Sequence, residues 1–324
     1  MTFMVLGVCL ALAGFAAVNF LVSAVVAAAW PSAHRLLRVE PARRRAGLIF
    51  ALRLAPAAVS LTVTAVLLVP AYVRFEPRET SEPISPVLLV LALAGGWLLA
   101  SALREGVRSI AATRRLVKDW LALGRPVSIA ESPVRAYCVP HTFPVIAVVG
   151  VVRPRLFVAS GVLEELEPGE RAAVLAHEAA HLGARDNLKR LAVSCAPDWL
   201  AWMSTGARLR RAWDEAAEAA ADARAARSRP GATLDLAAAL VKVGRMAPPG
   251  SRLAVPATAL HTGADLGRRV RRLLVSAKTR PEPESRVSAG LIVGFVASAF
   301  AAIVGPVSLR EVYGLLEFLV RLLA

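Results

Sequence analysis

The sequence predicts an α-helical membrane protein of about four transmembrane helices, with an α+β cytoplasmic domain inserted before the last of them. Composition is the first reason: the 324 residues are 56% hydrophobic with a mean hydropathy of +0.54, too apolar for soluble domains alone. Patterning is the second. Four uncharged apolar stretches, Met1–Trp30, Leu54–Val73, Ile84–Leu103 and Val287–Leu309, each come near the roughly 20 residues that a helix needs to cross a bilayer. The third is that about 180 residues of mixed polarity between the last two stretches suffice for one globular domain. The expected division is therefore 1–104 for three transmembrane helices, 105–286 for the cytoplasmic domain, 287–309 for the fourth span and 310–324 for a short tail.

The first stretch has no Lys or Arg ahead of it and is too long for the apolar core of a secretory signal, so it reads as a retained span. Charge then orients the spans. Pro31–Ala46 carries five Arg and one Glu, whereas Arg74–Pro83 carries two Arg and three Glu, which puts the first loop inside and the second outside. Arg104–Pro126 has six basic and two acidic residues, and Arg268–Arg286 has seven and two. Both ends of the inserted domain thus lie at the cytoplasmic face of the bilayer, against anionic head groups, with the N-terminus outside. This topology accounts for the net charge of +15, and the chain lacks the aromatic interleaving of a nucleic-acid module, so no direct nucleic-acid partner is expected. Cys9, Cys138 and Cys195 form no CxxC pair, which excludes a cysteine zinc site and a disulfide framework.

Within the domain, Ser109–Leu123 has helical periodicity and continues the third span as a stalk. Short β-branched runs at Val127–Ile129, Val134–Val139, Val145–Val152 and Leu156–Ala159 predict a small sheet. A helix should start at Glu167-Pro168 and run through His181. Leu191–Ala207, nearly uncharged but holding Pro197 and Asp198, reads as a buried or membrane-grazing hairpin. Helices are expected at Arg208–Arg227, Asp235–Val243 and Leu266–Ser276, and the tail from Arg310 as an apolar or interfacial helix.

Chemistry concentrates in His177-Glu178-Ala179-Ala180-His181. On a helix the two histidines project from one face a turn apart and can reach one zinc ion, while Glu178 beside them is placed to take a proton from water. A third protein ligand is needed. Position 187, where one pattern would place a further His, is Asn. Glu218 is the leading alternative because Asp222, four residues on, shares its helix face and is placed to hydrogen-bond a ligand imidazole. Glu215 is the competitor. Asp186 either orients a ligand histidine or caps the helix end.

The run from Glu170 to Asn187, ERAAVLAHEAAHLGARDN, followed by a Pro/Trp segment and then ExxAD, resembles the membrane-bound gluzincins. The BlaR/MecR-type sensor-transducer peptidases are the nearer group, through the topology, Pro154–Leu163 (PRLFVASGVL) and Arg185-Asp186. The CAAX prenyl and heat-shock membrane peptidases are more distant. The chain departs from the first group in carrying no extracellular penicillin-binding sensor after the fourth span. The resemblance implies a zincin-like (gluzincin) domain, a Zn2+ cofactor held by His177, His181 and Glu218, and Glu178 as base. It also implies a zinc metalloendopeptidase whose target is either a cytoplasmic transcriptional repressor or a misfolded membrane protein. The peptide substrate is expected to lie as an extended strand along Val145–Val152. His261, ahead of Arg268 and Arg269, is either an oxyanion stabiliser, a role for which members of the wider group use a late His and Arg, or a surface loop residue beside a membrane-facing basic helix. His141 reads as a turn residue and His34 as part of the first cytoplasmic loop. The rival of another class is a non-enzymatic membrane signal transducer that keeps the zinc-binding fold.

Overall fold

The computed structural model describes residues 2–78, 85–129, 132–246, 263–277 and 308–323. Among these, three helical rods are long and apolar enough to cross a membrane. The fourth expected span, 287–309, lies almost wholly outside the described residues, as does His261.

The first rod, α1 (Thr2–Leu37), is 36 residues long. At about 1.5 Å per residue it exceeds a hydrocarbon core of about 30 Å, so the helix continues past the expected end at Trp30 into the basic segment. The second is α2 (Ala42–Val63), a π-helical turn at Thr64–Leu68, and α3 (Val69–Phe75). Pro70 explains the turn: its ring clashes with the carbonyl four residues back, and widening the preceding turn removes the clash without ending the helix. The third is α4 (Pro86–Leu123), begun by Ser85, whose hydroxyl accepts from the Leu88 N–H at 3.2 Å, and running unbroken through the stalk region. Where α4 crosses α1, a Cβ on Gly95 would stand 2.2 Å from the Leu12 carbonyl oxygen, so only glycine lets the two backbones meet.

After α4 the chain forms a four-stranded sheet of β1 (Arg125–Val127), β2 (Ala136–Val139), β3 (Ile146–Val149) and β4 (Arg155–Ala159), in the order β1-β2-β4-β3. The central pair β2 and β4 is parallel; the outer pairings are antiparallel. β3 is therefore an edge strand, yet all four of its residues are buried. Helices α5 (Ser160–Glu165), α6 (Pro168–Ala184) and α7 (Asp186–Ser194) follow. A capping box joins Glu167 and Glu170 at the start of α6, with Pro168 in its first turn. The end of α6 lies two residues past Gly183, at Arg185, which adopts the left-handed conformation (φ 55°). Then come α8 (Ser204–Ala225), α9 (Ala232–Met246), α10 (Gly263–Ser276) and α11 (Leu309–Leu323). The main core packs Ile146, Leu156 and Phe157 of the sheet against Leu236 and Leu240 of α9, closed by Trp120 of α4 and Leu273 of α10.

The link between α7 and α8, expected as a hairpin, is a loop with a single 3-10 turn at Trp199–Ala201, seated on the membrane rods. Asn19 of α1 donates to Ser60 Oγ (3.0 Å) and the Pro197 carbonyl (2.8 Å), and accepts from the Trp199 N–H (3.2 Å). Arg53 of α2 pairs with Asp198, and both are buried. A paired, hydrogen-bonded cluster of this kind is how polar groups are tolerated inside an apolar bundle. At the far end of the second rod, Tyr313 of α11 donates to Glu76 Oε2 at 2.9 Å.

Candidate metal centre

Helical spacing places His177 and His181 on one face of α6, buried beneath α8. Their Nε2 atoms lie 3.1 Å apart. Glu218 of α8 completes a triangle, with Oε2 3.5 Å from His177 Nε2 and Oε1 3.4 Å from His181 Nε2. Tetrahedral coordination at about 2.0–2.1 Å puts neighbouring donor atoms about 3.3–3.4 Å apart, near these three distances, two of which end on different oxygens of the Glu218 carboxylate. Glu218 Oε1 is also buried without a hydrogen-bond partner, which an isolated carboxylate would not tolerate. Two imidazole nitrogens and one carboxylate oxygen, all buried, thus fit a single divalent cation.

Each imidazole is backed by a carboxylate. Asp186 Oδ2 stands 2.7 Å from His181 Nδ1, and Asp222 Oδ1 stands 3.1 Å from His177 Nδ1, the latter off the line of a hydrogen bond. Such pairs fix the ring orientation that turns Nε2 toward a metal. The field is strongly negative. Burial works against a charged imidazole, but Glu218 and Asp186 outweigh it and push His181 up to about 10. His177 is raised likewise, its burial overcome by Asp222 and Glu218. Glu218 is held well below the carboxylate range: its burial is overcome chiefly by His181 and His177. The surroundings that hold protons on the imidazoles in this way are those that bind a cation in their place.

Glu178 sits on the sheet side of the same helix. It is buried, and its Oε2 accepts from the Val148 N–H of β3 at 3.0 Å. Burial raises its pKa, against the lowering effect of both histidines. Glu215, the competing ligand, is exposed and pairs with Arg268 at 3.3 Å, away from the imidazoles. His141 accepts from the Phe143 N–H at 3.0 Å within its own turn, and His34 packs tilted against Trp30, ring centroids 5.0 Å apart.

Two features escaped the sequence reading. Arg269 of α10 is buried, with Nη1 3.1 Å from Glu218 Oε2, Nη2 2.7 Å from Asp222 Oδ1 and Nε 3.2 Å from Asp222 Oδ2. Arg272 adds a contact to Asp222 at 2.9 Å. A helical count gave a signal, because position 269 falls beside Leu266, Val270 and Leu273 on the apolar stripe, where an arginine needs a buried partner. The second feature is Asn187, which reaches β3 from α7. A cavity of about 350 Å3 lies between β3 and the α6–α7 junction, with His181, Val151, Leu182 and Leu188 in its wall.

Residues 147–247 match the family model of peptidase family M48, a segment of 101 residues (147 to 247 inclusive) that runs from β3 to just past α9. No curated protein matches the chain. The match supports a metallopeptidase, and members of that family typically use zinc. The three long apolar helices make it a membrane protein.

Proposed function

We propose that the chain is an integral-membrane, zinc-dependent metalloendopeptidase whose site faces the cytoplasm. One observation carries the proposal: three buried donors spaced for a single ion stand beside a buried carboxyl that is hydrogen-bonded to an edge strand. His177, His181 and Glu218 hold the metal in this reading, with Asp186 and Asp222 orienting the imidazoles. A bound zinc ion polarises the scissile carbonyl and acidifies a water molecule. Glu178 takes the proton of the attacking water and delivers it to the leaving amine, breaking the C–N bond as the new C–O bond is completed. Its burial favours the protonated form needed for that second step. Arg269, with its guanidinium on Glu218 and Asp222, offsets the negative charge of the ligand shell.

The substrate lies extended along β3. Val148 directs its N–H and C=O away from β4, toward Glu178 and Asn187, so by strand alternation the Ile146 backbone groups face the same outer edge. Recognition through backbone groups favours an endopeptidase. A cytoplasmic transcriptional repressor cut on signal and a misfolded membrane protein cut for quality control both suit such a groove.

The cytoplasmic placement rests on the basic loops. The first half of the second rod meets the metallopeptidase domain, through Phe50 on Trp213 (6.1 Å) and Arg53 on Asp198, while Glu76 at its far end meets α11.

The test is zinc content and casein cleavage by purified, detergent-solubilised protein beside Glu178→Gln and Glu218→Ala. We expect one zinc in wild type and Glu178→Gln, loss in Glu218→Ala, and cleavage in wild type alone. Zinc without cleavage in any form would favour the non-enzymatic transducer, and no zinc in wild type would overturn the proposal.

A further inference from the structure

Three consecutive residues at the α6–α7 junction play three different parts. Arg185, in the left-handed conformation, turns the chain sharply after the metal-site helix. Asp186 then folds back onto His181. Asn187 points the other way, and its single amide nitrogen donates to two main-chain carbonyls, Val148 O at 2.9 Å and Gly150 O at 3.1 Å. Two carbonyl acceptors require the NH2 end of the amide there, and both of its hydrogens are used. The carbonyls belong to the end of β3 and the turn after it, where Gly150 has a φ of +105°. The N–H of the same Val148 donates to Glu178.

We propose that Asn187 is a positioning residue for hydrolysis: its amide ties the edge strand to the start of α7, directly after the metal-site helix, and so sets where the Val148 N–H holds Glu178. This rests on the metallopeptidase reading above. Without the tie, the Val148–Glu178 hydrogen bond is the one remaining hydrogen bond from the outer edge of β3 among the described residues, and the strand end at Val148–Gly150 loses its link to α7. The same tie ends the accessible edge. With both outward groups of Val148 and the Gly150 carbonyl engaged, an incoming strand takes its register from Ile146 and the remaining lone pair on Val148 O. Asn187 also lines the cavity beside His181, so it borders the side chain that such a register places there.

A side chain that merely fills space is distinguished from a donor by an isosteric change. Asn187→Asp keeps the shape but sets two acceptor oxygens against two carbonyls, and recovers one donor only when protonated. Asn187→Ala removes the donor and adds no charge. The full-length, detergent-solubilised protein is used throughout, with zinc content, casein cleavage between pH 5.5 and 8.5, and amide hydrogen exchange of peptides covering 146–150.

Both variants are expected to keep one zinc. In Asn187→Ala, kcat falls by about 10- to 100-fold, in line with a misplacement of under an ångström, while KM changes by less than about threefold. In Asn187→Asp the loss is larger at pH 8, and its activity relative to the Ala variant climbs as the pH falls. Exchange at 146–150 speeds up by about tenfold in both. Wild-type kcat in Asn187→Ala, an Asp variant as active as wild type at every pH, or unchanged exchange would overturn the proposal. The Ala variant decides the matter if the Asp variant does not accumulate. If wild-type protein binds zinc but cleaves nothing, the peptidase reading fails, while exchange still judges the tie between Asn187 and β3.

Discussion

Loading the metal centre should expel protons, in a number that follows from the charges around His181. In the metal-free fold His181 is held protonated up to about 10, against an ordinary value of 6.5, burial being outweighed by Glu218 and Asp186. At pH 7.5 that imidazole is almost wholly protonated, and His177 is raised as well. Nitrogen lone pairs needed by zinc are thus occupied by hydrogen, and each metal bound must release between about one and two protons. Apparent zinc affinity then rises about 10- to 100-fold per pH unit between pH 6.5 and 8.5.

Folding stability moves the opposite way. Because the folded pKa of His181 lies above the unfolded one, its contribution to the metal-free protein is fully present below about pH 6.5 and is lost as pH rises through about 10. The interval converts, at about 1.4 kcal/mol per pH unit, to about 5 kcal/mol, shared with the depressed Glu218 and counted once for the pair. The assay is zinc titration by calorimetry in buffers of different ionisation enthalpy, with and without Glu218→Gln. Wild type should show the proton release. The variant, having lost the largest charge that raises His181, should release fewer protons and bind zinc more weakly. Zinc uptake with a buffer-independent heat and a pH-independent affinity would refute the reasoning.

Asp186→Asn should lower zinc affinity by about 10- to 100-fold without removing a ligand, because the amide orients His181 but no longer adds charge; competition with a chelator measures it. Asp198→Ala leaves Arg53 charged and unpaired among apolar helices, which should cost about 3–5 kcal/mol of stability, read as a lower midpoint of detergent-induced unfolding. Val148→Pro removes the N–H that Glu178 accepts; casein cleavage should fall by about 10²-fold or more with zinc retained, by comparison of kcat and metal content. Glu215→Ala should leave both zinc and cleavage unchanged, since the side chain is exposed and meets only Arg268 within the described contacts of the centre.

Much of this protein is written in local pattern. Three of the expected spans coincide with long apolar helices because an apolar run of helical length has few other uses, and the same property let α1 and α4 extend beyond their apolar cores without a break to signal the end. His177, Glu178 and His181 were legible because helical geometry alone brings positions four apart together. Glu218 and Asp222 were legible by the same rule within α8, but their approach to α6 was a matter of packing.

What the linear order could not carry is contact across distance. Arg269 is 92 residues from His177 and looked like one more lysine-or-arginine position at the membrane face, until packing of α10 turned it inward onto Glu218 and Asp222. Asn187 was read only as the absence of a third histidine; its bonds to Val148 and Gly150 depend on the left-handed turn at Arg185 and on β3 lying at the sheet edge. Likewise, Asn19 and Arg53 carry no signal in local pattern, and only their burial against Pro197 and Asp198 accounts for them. Sequence alone determined which segments prefer lipid and which residues can share a helix face, since those follow from hydropathy and from 3.6 residues per turn. Tertiary structure decided which charges are neutralised and which strand stands open, because those depend on neighbours that the chain brings together only by folding.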